Sequence, residues 1–183
     1  MPSRPAVVLI GPPAAGKSRI GRKTAKYLDL DFLDTDSVIV AEHGPIADIF
    51  LTRGEAAFRA IEREVVERAL GTGGVVSLGG GAVLDEQTRD ALRAHRVVLL
   101  TVSAEAVERR ISGRLAKDQR RPLLAADTTG DRLAAWQKLV DSRRSVYESL
   151  ATSTWDTSER PITAIAREIA DWAEKDMTGA IDR

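Results

Sequence analysis

Apolar residues fall along this chain in two alternating textures. Short unbroken runs, Ala6 to Ile10, Val75 to Leu78 and Val97 to Val102, have no polar face and read as buried strands. Between them lie longer stretches in which apolar positions recur every three or four residues. Lys17 to Leu28 is such a stretch, with Ile20, Thr24, Ala25 and Leu28 on one face. Glu55 to Leu70 is another, with Phe58, Ile61, Val65 and Ala69 on its stripe, and Asp85 to Ala94 and Ala104 to Ser112 follow. Asp131 to Leu150 and the segment from Ile162 to about Lys175 complete the helices, the last with Pro161 at its first helical position. Ser37 to His43 and Ile46 to Thr52 read as short helices divided by Gly44-Pro45, while Asp31 to Asp34 and Thr152 to Trp155 are short strand candidates. Gly113 to Gly130 is charged and without period, hence a loop, and residues 176–183 read as a frayed, disordered tail. Strands alternating with helices predict one α/β domain with a mainly parallel sheet. Ligands then bind beyond the carboxyl ends of the strands, where the loops after Ile10, Asp34 and Leu78 meet.

Composition narrows the chemistry. The 183 residues suit a single domain, and 27 Lys and Arg against 27 Asp and Glu leave no net charge. That balance, with eight aromatics and no basic stripe, argues against nucleic-acid partners and against polybasic membrane binding. The absence of cysteine excludes disulfides, a thiol nucleophile and Cys-ligated metal, and two histidines are too few for a multi-histidine site. No apolar run has the length of a membrane span, and the run after Met1-Pro2-Ser3-Arg4-Pro5 is too short for a signal-peptide core, so a cytoplasmic protein is expected, and small size without an evident spare apolar patch makes a monomer the default.

The first of the three loops carries the most specific signal. Gly11-Pro12-Pro13-Ala14-Ala15-Gly16-Lys17-Ser18 fits G-x-x-x-x-G-K-[ST], with an apolar strand before it and a helix after it. Successive backbone N–H groups in such a loop cradle phosphate oxygens, aided by the helix N-terminus. Lys17 then reaches the β- and γ-phosphates and the Ser18 hydroxyl ligates magnesium. Ala14 stands where many such loops have a further glycine. A positive φ there would cost an alanine about 1 kcal/mol or more, so a negative φ is expected.

The second loop, Leu33-Asp34-Thr35-Asp36, leaves a strand for a short helix. Asp36 suits the helix N-cap, but beside a phosphate loop the two carboxylates have other uses, one toward the metal and one toward an acceptor hydroxyl. In the third, Gly79-Gly80-Gly81 lets backbone approach a ligand closely.

Three arginines stand out. Arg143 falls near the centre of the apolar stripe Leu133, Trp136, Val140, Tyr147 and Leu150, whereas Arg144 falls to one side. A cation there must pair, snorkel or face a cleft, and the phosphate loop favours the cleft. Arg59 lies at the flank of its helix stripe with Glu62 three residues on. Arg121 precedes Pro122 in the charged loop, where it could close over a nucleotide.

Together these pieces resemble shikimate kinases. GPPAAGKS is followed in order by LDTD at Leu33 to Asp36, ADIF at Ala47 to Phe50 and GEAAFRAIE at Gly54 to Glu62; SLGGGAV at Ser77 to Val83, RPLL at Arg121 to Leu124 and the Arg143 to Tyr147 segment complete the set. The likeness runs from about Val7 to Lys175. It implies the P-loop fold of nucleoside monophosphate kinases, a five-stranded parallel sheet flanked by helices, with a lid at about 113–126 and a substrate-binding region at about 35–62. It implies transfer of the ATP γ-phosphoryl group to the 3-hydroxyl of shikimate with Mg2+. Carried over residue by residue, Gly11, Ala14, Ala15, Gly16, Lys17, Ser18 and Arg19 serve the nucleotide, and Arg110 and Pro161 sandwich its adenine. Ser18 and Asp34 hold magnesium, the latter through water. Asp36 holds the shikimate hydroxyls and acts as base, Arg59 and Arg143 clamp the carboxylate, and Gly79, Gly80 and Gly81 approach the substrate. Arg121 is the lid arginine that stabilises the transferring group, although Gly113 to Arg120 is longer than the usual lid entry.

Two rivals remain at this point. A gluconate kinase of the same fold would also use arginines for a carboxylate, and Gly-Gly-Gly with Asp36 and Arg59 tilts the choice to shikimate. A non-catalytic nucleotide-binding module would have lost Lys17, Ser18 or the aspartates, and none is lost.

Overall fold

The computed structural model describes residues 7–114 and 129–179. Five strands, β1 (Val7–Ile10), β2 (Phe32–Asp34), β3 (Val75–Ser77), β4 (Arg96–Thr101) and β5 (Ser153–Asp156), form one sheet in the order β2-β3-β1-β4-β5. Every pairing is parallel, with Val8 opposite Val76 on one side and Val97 on the other. The helices are α1 (Lys17–Leu28), α2 (Thr35–His43), α3 (Ile46–Leu70), α4 (Glu86–Leu92), α5 (Ala104–Arg114), α6 (Thr129–Leu150) and α7 (Ile162–Gly179), and a 3-10 turn spans Ala82–Leu84.

The period of two along the strands builds two cores. Val8, Ile10, Val76, Leu78, Val97 and Leu99 pack with Val66, Leu70, Leu92 and Tyr147 on one face. Val7, Leu9, Val75, Val98 and Leu100 pack on the other with Ile20 and Ala25 of α1 and Ile165 and Ile169 of α7. Because both faces are covered, the strands read as unbroken apolar runs. A third cluster, Ile39, Ile49, Phe58, Ile61 and Val65, joins α2 to α3 away from the sheet. The chain leaves β1 toward β3 and β2 and returns to the other side as β4 and β5, so the carboxyl end of β1 is the switch point where ligands bind in such sheets.

Some boundaries differ from the sequence expectation. The expected break between Ile46–Thr52 and Glu55–Leu70 is kept: Gly54, at φ 78° and ψ 171°, is not helical, and two helical segments of α3 meet there at a kink. Helix α7 opens at Ile162, one residue past Pro161, whose carbonyl accepts from Ala164 and Ile165 as an N-cap carbonyl does. It continues to Gly179, beyond the expected end at Lys175. Helix α5 runs to Arg114 and α6 begins at Thr129, each entering the stretch expected to be loop. The rest of the expected lid, Arg121 included, lies outside the described residues.

Candidate active site

Gly11 to Ser18 connect β1 to α1 over the switch point. Gly11 has φ 135°, and a Cβ there would sit 2.3 Å from the Leu100 carbonyl oxygen, so only glycine lets the loop leave between β1 and β4. Lys17 Nζ folds back over the loop and donates to the carbonyls of Gly11 at 2.8 Å and Pro12 at 3.0 Å. Ala14 adopts φ 68°, against the expected negative value. Its methyl packs in the cluster of Val107 and Trp136, and its carbonyl accepts from Arg110 Nη1 at 2.7 Å, contacts that offset the left-handed backbone. Arg110 also donates to the Thr157 carbonyl, and burial lowers its pKa, with the charges of Arg109 and Arg19 acting in the same direction. Arg19 and Pro161 are both exposed, Arg19 in the first turn of α1 and Pro161 before α7.

The two aspartates diverge. Asp34, not Asp36, is the N-cap of α2: its Oδ1 accepts from the Ser37 amide at 3.0 Å. Its Oδ2 accepts from Ser18 Oγ at 2.5 Å, joining the second loop to the first. A hydroxyl and a carboxylate beside a phosphate cradle are the oxygen donors a hard divalent cation takes. Among the described residues no group of three or more Asp, Glu, His or Cys could hold a metal alone. The pair therefore fits magnesium, whose other positions go to water and nucleotide phosphates.

Asp36, in the first turn of α2, faces the third loop. A Cβ at Gly79 would lie 2.6 Å from Asp36 Oδ1 and 2.8 Å from Glu62 Oε1, and one at Gly81 would lie 2.5 Å from Arg59 Nη1. A Cβ at Gly80 would lie 3.6 Å from the Gly11 carbonyl oxygen and 3.6 Å from Tyr147 Oη. The glycines thus lie between the phosphate loop and a cluster of two carboxylates and a guanidinium, and at Gly79 and Gly81 an alanine would displace side chains. Arg59 Nη1 donates to Glu62 Oε2 at 2.6 Å, with the Glu62 side chain 4% exposed, so this is no surface ion pair. Arg143 is buried at 8% exposure, whereas Arg144 is exposed and pairs with Asp141 at 2.8 Å. Arg143 lies near enough to Tyr147 and Glu62 to act electrostatically on both, which ties it to the same cluster.

Four residues of the site have polar roles that the local pattern does not show. Tyr147 Oη donates to the Gly80 carbonyl at 2.6 Å, and Trp136 Nε1 to the Pro13 carbonyl at 2.9 Å, although by period both fit the apolar stripe. Thr35 Oγ1 accepts from the Gly79 amide at 3.1 Å, and Thr157 Oγ1 donates to the Ala15 carbonyl at 3.0 Å.

Burial pushes the Glu62 pKa up, opposed by Arg59 and Arg143 and reinforced by Asp36. A carboxyl with a raised folded-state pKa binds its proton more tightly in the native protein, so its contribution to stability falls as pH rises above about 4.5. Glu62→Gln removes that slope. The melting temperature of the variant minus that of the parent is expected to climb with pH from about 4.5 and then level off. Thermal melts across pH 4–8 check this, and a difference that falls as pH rises refutes the sign.

A family model described as shikimate kinase matches residues 13–174. A curated shikimate kinase from Thermobifida fusca is 48% identical over 173 residues, covering 93% of this chain and 95% of that protein. A solved shikimate kinase from Acinetobacter baumannii in complex with shikimate superposes with a TM-score of 0.84 at 29% identity, covering 95% of each chain. A gluconokinase from Sinorhizobium meliloti superposes with a TM-score of 0.61 at 20% identity, covering 97% of this chain and 98% of that one, a likeness of fold alone.

Proposed function

The chain belongs to the shikimate kinase family, and on that premise we propose that it transfers the γ-phosphoryl group of ATP to the 3-hydroxyl of shikimate, giving shikimate 3-phosphate and ADP. One observation carries the reading. Gly79-Gly80-Gly81 lies in contact range of the phosphate loop on one side and of Asp36, Glu62 and Arg59 on the other. An acceptor seated there meets a carboxylate for its hydroxyl and guanidinium groups for an anionic end, within reach of a bound triphosphate.

Phosphoryl transfer asks the protein mainly to position its reactants and to neutralise charge. The backbone amides of the phosphate loop hold the phosphates, and Lys17 supplies a cation beside them. Ser18, and Asp34 through water, would hold magnesium, which would supply charge neutralisation at the phosphates. Asp36 accepts the proton of the attacking hydroxyl and aligns it. Arg59, fixed by Glu62, and Arg143, buried beside Tyr147, present forked donors that match a planar carboxylate. Arg121 carries the lid role by family likeness. Gluconate shares the carboxylate, but only fold-level similarity supports a gluconate kinase. We also read the enzyme as a monomer without nucleic-acid partners, and no described helix is long and apolar enough to cross a membrane.

ADP release in the presence of ATP and magnesium, with shikimate, gluconate or no acceptor, tests the proposal. Turnover is expected with shikimate alone, and a rate unchanged by shikimate overturns it. Arg143→Ala is expected to raise the shikimate KM roughly 10- to 100-fold, the range for losing charge-assisted hydrogen bonds. The ATP KM should stay within about twofold. Equal effects on both constants would remove Arg143 from the carboxylate clamp.

A further inference from the structure

The phosphate loop carries two consecutive prolines, Pro12 and Pro13, and neither has an amide hydrogen to offer a phosphate. The first N–H available after them belongs to Ala14. Its direction is set by the peptide plane it shares with the Pro13 carbonyl, because the two groups of a trans peptide point to opposite sides. The Pro13 carbonyl is held by Trp136 Nε1 at 2.9 Å, from the middle of α6 and across 123 residues of chain. Trp136 is 1% exposed, and its ring packs with Val107 against the methyl of Ala14, the loop residue in the left-handed conformation. A buried indole N–H needs an acceptor, whereas packing alone would ask only for an apolar side chain of that shape.

We propose that Trp136 is a positioning residue for nucleotide binding: by holding the Pro13 carbonyl outward it aims the Ala14 N–H into the phosphate site, and its ring braces Ala14 at positive φ. The flanking carbonyls are held in the same manner. Lys17 holds those of Gly11 and Pro12, Arg110 that of Ala14 and Thr157 that of Ala15. Trp136 alone among these four donors combines an uncharged N–H with a large apolar face, so it sets the plane and the backbone conformation together. The inference rests on reading this loop as the ATP site, and it is independent of the acceptor.

Two variants separate the hydrogen bond from the packing. Trp136→Phe keeps an aromatic ring and loses the donor. Incorporation of 3-benzothienylalanine at position 136 keeps the bicyclic shape and puts sulfur in place of the N–H. Calorimetric titration of the full-length protein with Mg-ADP is expected to show a roughly 5- to 30-fold loss of affinity in both, the scale of one unsatisfied buried acceptor. Where both also turn over, the shikimate KM stays within about twofold of the parent. Trp172→Phe, in the apolar cluster on the far face of the sheet, serves as the control and keeps parental affinity. Parental Mg-ADP affinity in the benzothienyl protein overturns the proposal, even if Trp136→Phe fails to fold. A parent that binds Mg-ADP but does not phosphorylate shikimate leaves the proposal testable and overturns only the acceptor assignment.

Discussion

Lys17→Ala is expected to lower kcat by about three orders of magnitude while the protein stays folded. The ammonium lies over the phosphate loop, 2.8 Å from the Gly11 carbonyl and 3.0 Å from that of Pro12. On the proposed reading it is a preorganised charge beside the group that becomes more negative in the transition state. Removing one such stabiliser costs roughly 10²- to 10³-fold in rate. Here the loss is compounded, because two loop carbonyls also lose their donor and the amide cradle loosens. The side chain is only partly buried, and the apolar cores of the sheet do not include it. The melting temperature should therefore move by no more than a few degrees. Steady-state kinetics and a thermal melt on one preparation make the check. Near-parental turnover would refute the phosphate-loop assignment, and a collapsed melt would show that Lys17 acts through the fold.

The second large effect is expected at Asp36. Asp36→Asn keeps the shape of the side chain, so its fit against Gly79, where a Cβ would approach Asp36 Oδ1 to 2.6 Å, is preserved. What disappears is the capacity to accept the hydroxyl proton, worth roughly 10²- to 10⁴-fold in kcat. The substitution also removes a negative charge that pushes the Glu62 pKa up. Stability at neutral pH is then unchanged or higher, even as activity is lost. That opposition distinguishes a catalytic carboxylate from a structural one, whose removal lowers both. A kcat within about threefold of the parent would take Asp36 out of the base role.

How much of this could be read from residues alone depended on how local the cause was. Helix α1 spans Lys17–Leu28 as its apolar period predicts, because one face of it packs with Ile20 and Ala25 on the sheet. The phosphate loop, the two aspartates and the three glycines were legible since each is a short run with its chemistry inside it. Arg143 was legible because a cation at the centre of an apolar stripe breaks a period, and the structure buries it beside Tyr147 and Glu62. The helix cap falls on Asp34 and not on Asp36 because α2 begins at Thr35, two residues before the expected start at Ser37, which puts the Ser37 amide where the Asp34 carboxylate meets it. The positive φ of Ala14 departs from the sequence expectation for a different reason. The contacts that sustain it, from Arg110 and Trp136, come from distant helices and leave no trace in the local pattern. Trp136 and Tyr147 satisfy the helical stripe perfectly well as core residues, and nothing in periodicity reveals that each also spends a polar atom on a glycine-rich loop.

The reach of those tethers has a consequence for how the enzyme comes into being. The phosphate-binding motif is complete by Ser18, but its backbone is held by Arg110, Trp136 and Thr157, at separations of 96, 123 and 142 residues. Contacts of such separation close large loops and form late, after the entropy of ordering the intervening chain has been overcome. During synthesis, a nascent chain that has exposed only its first hundred residues carries the nucleotide signature without the scaffold that shapes it. Affinity for nucleotide is then acquired near the end of folding, when α5, α6 and the turn after β5 have all docked, and its appearance marks the arrival of the native state.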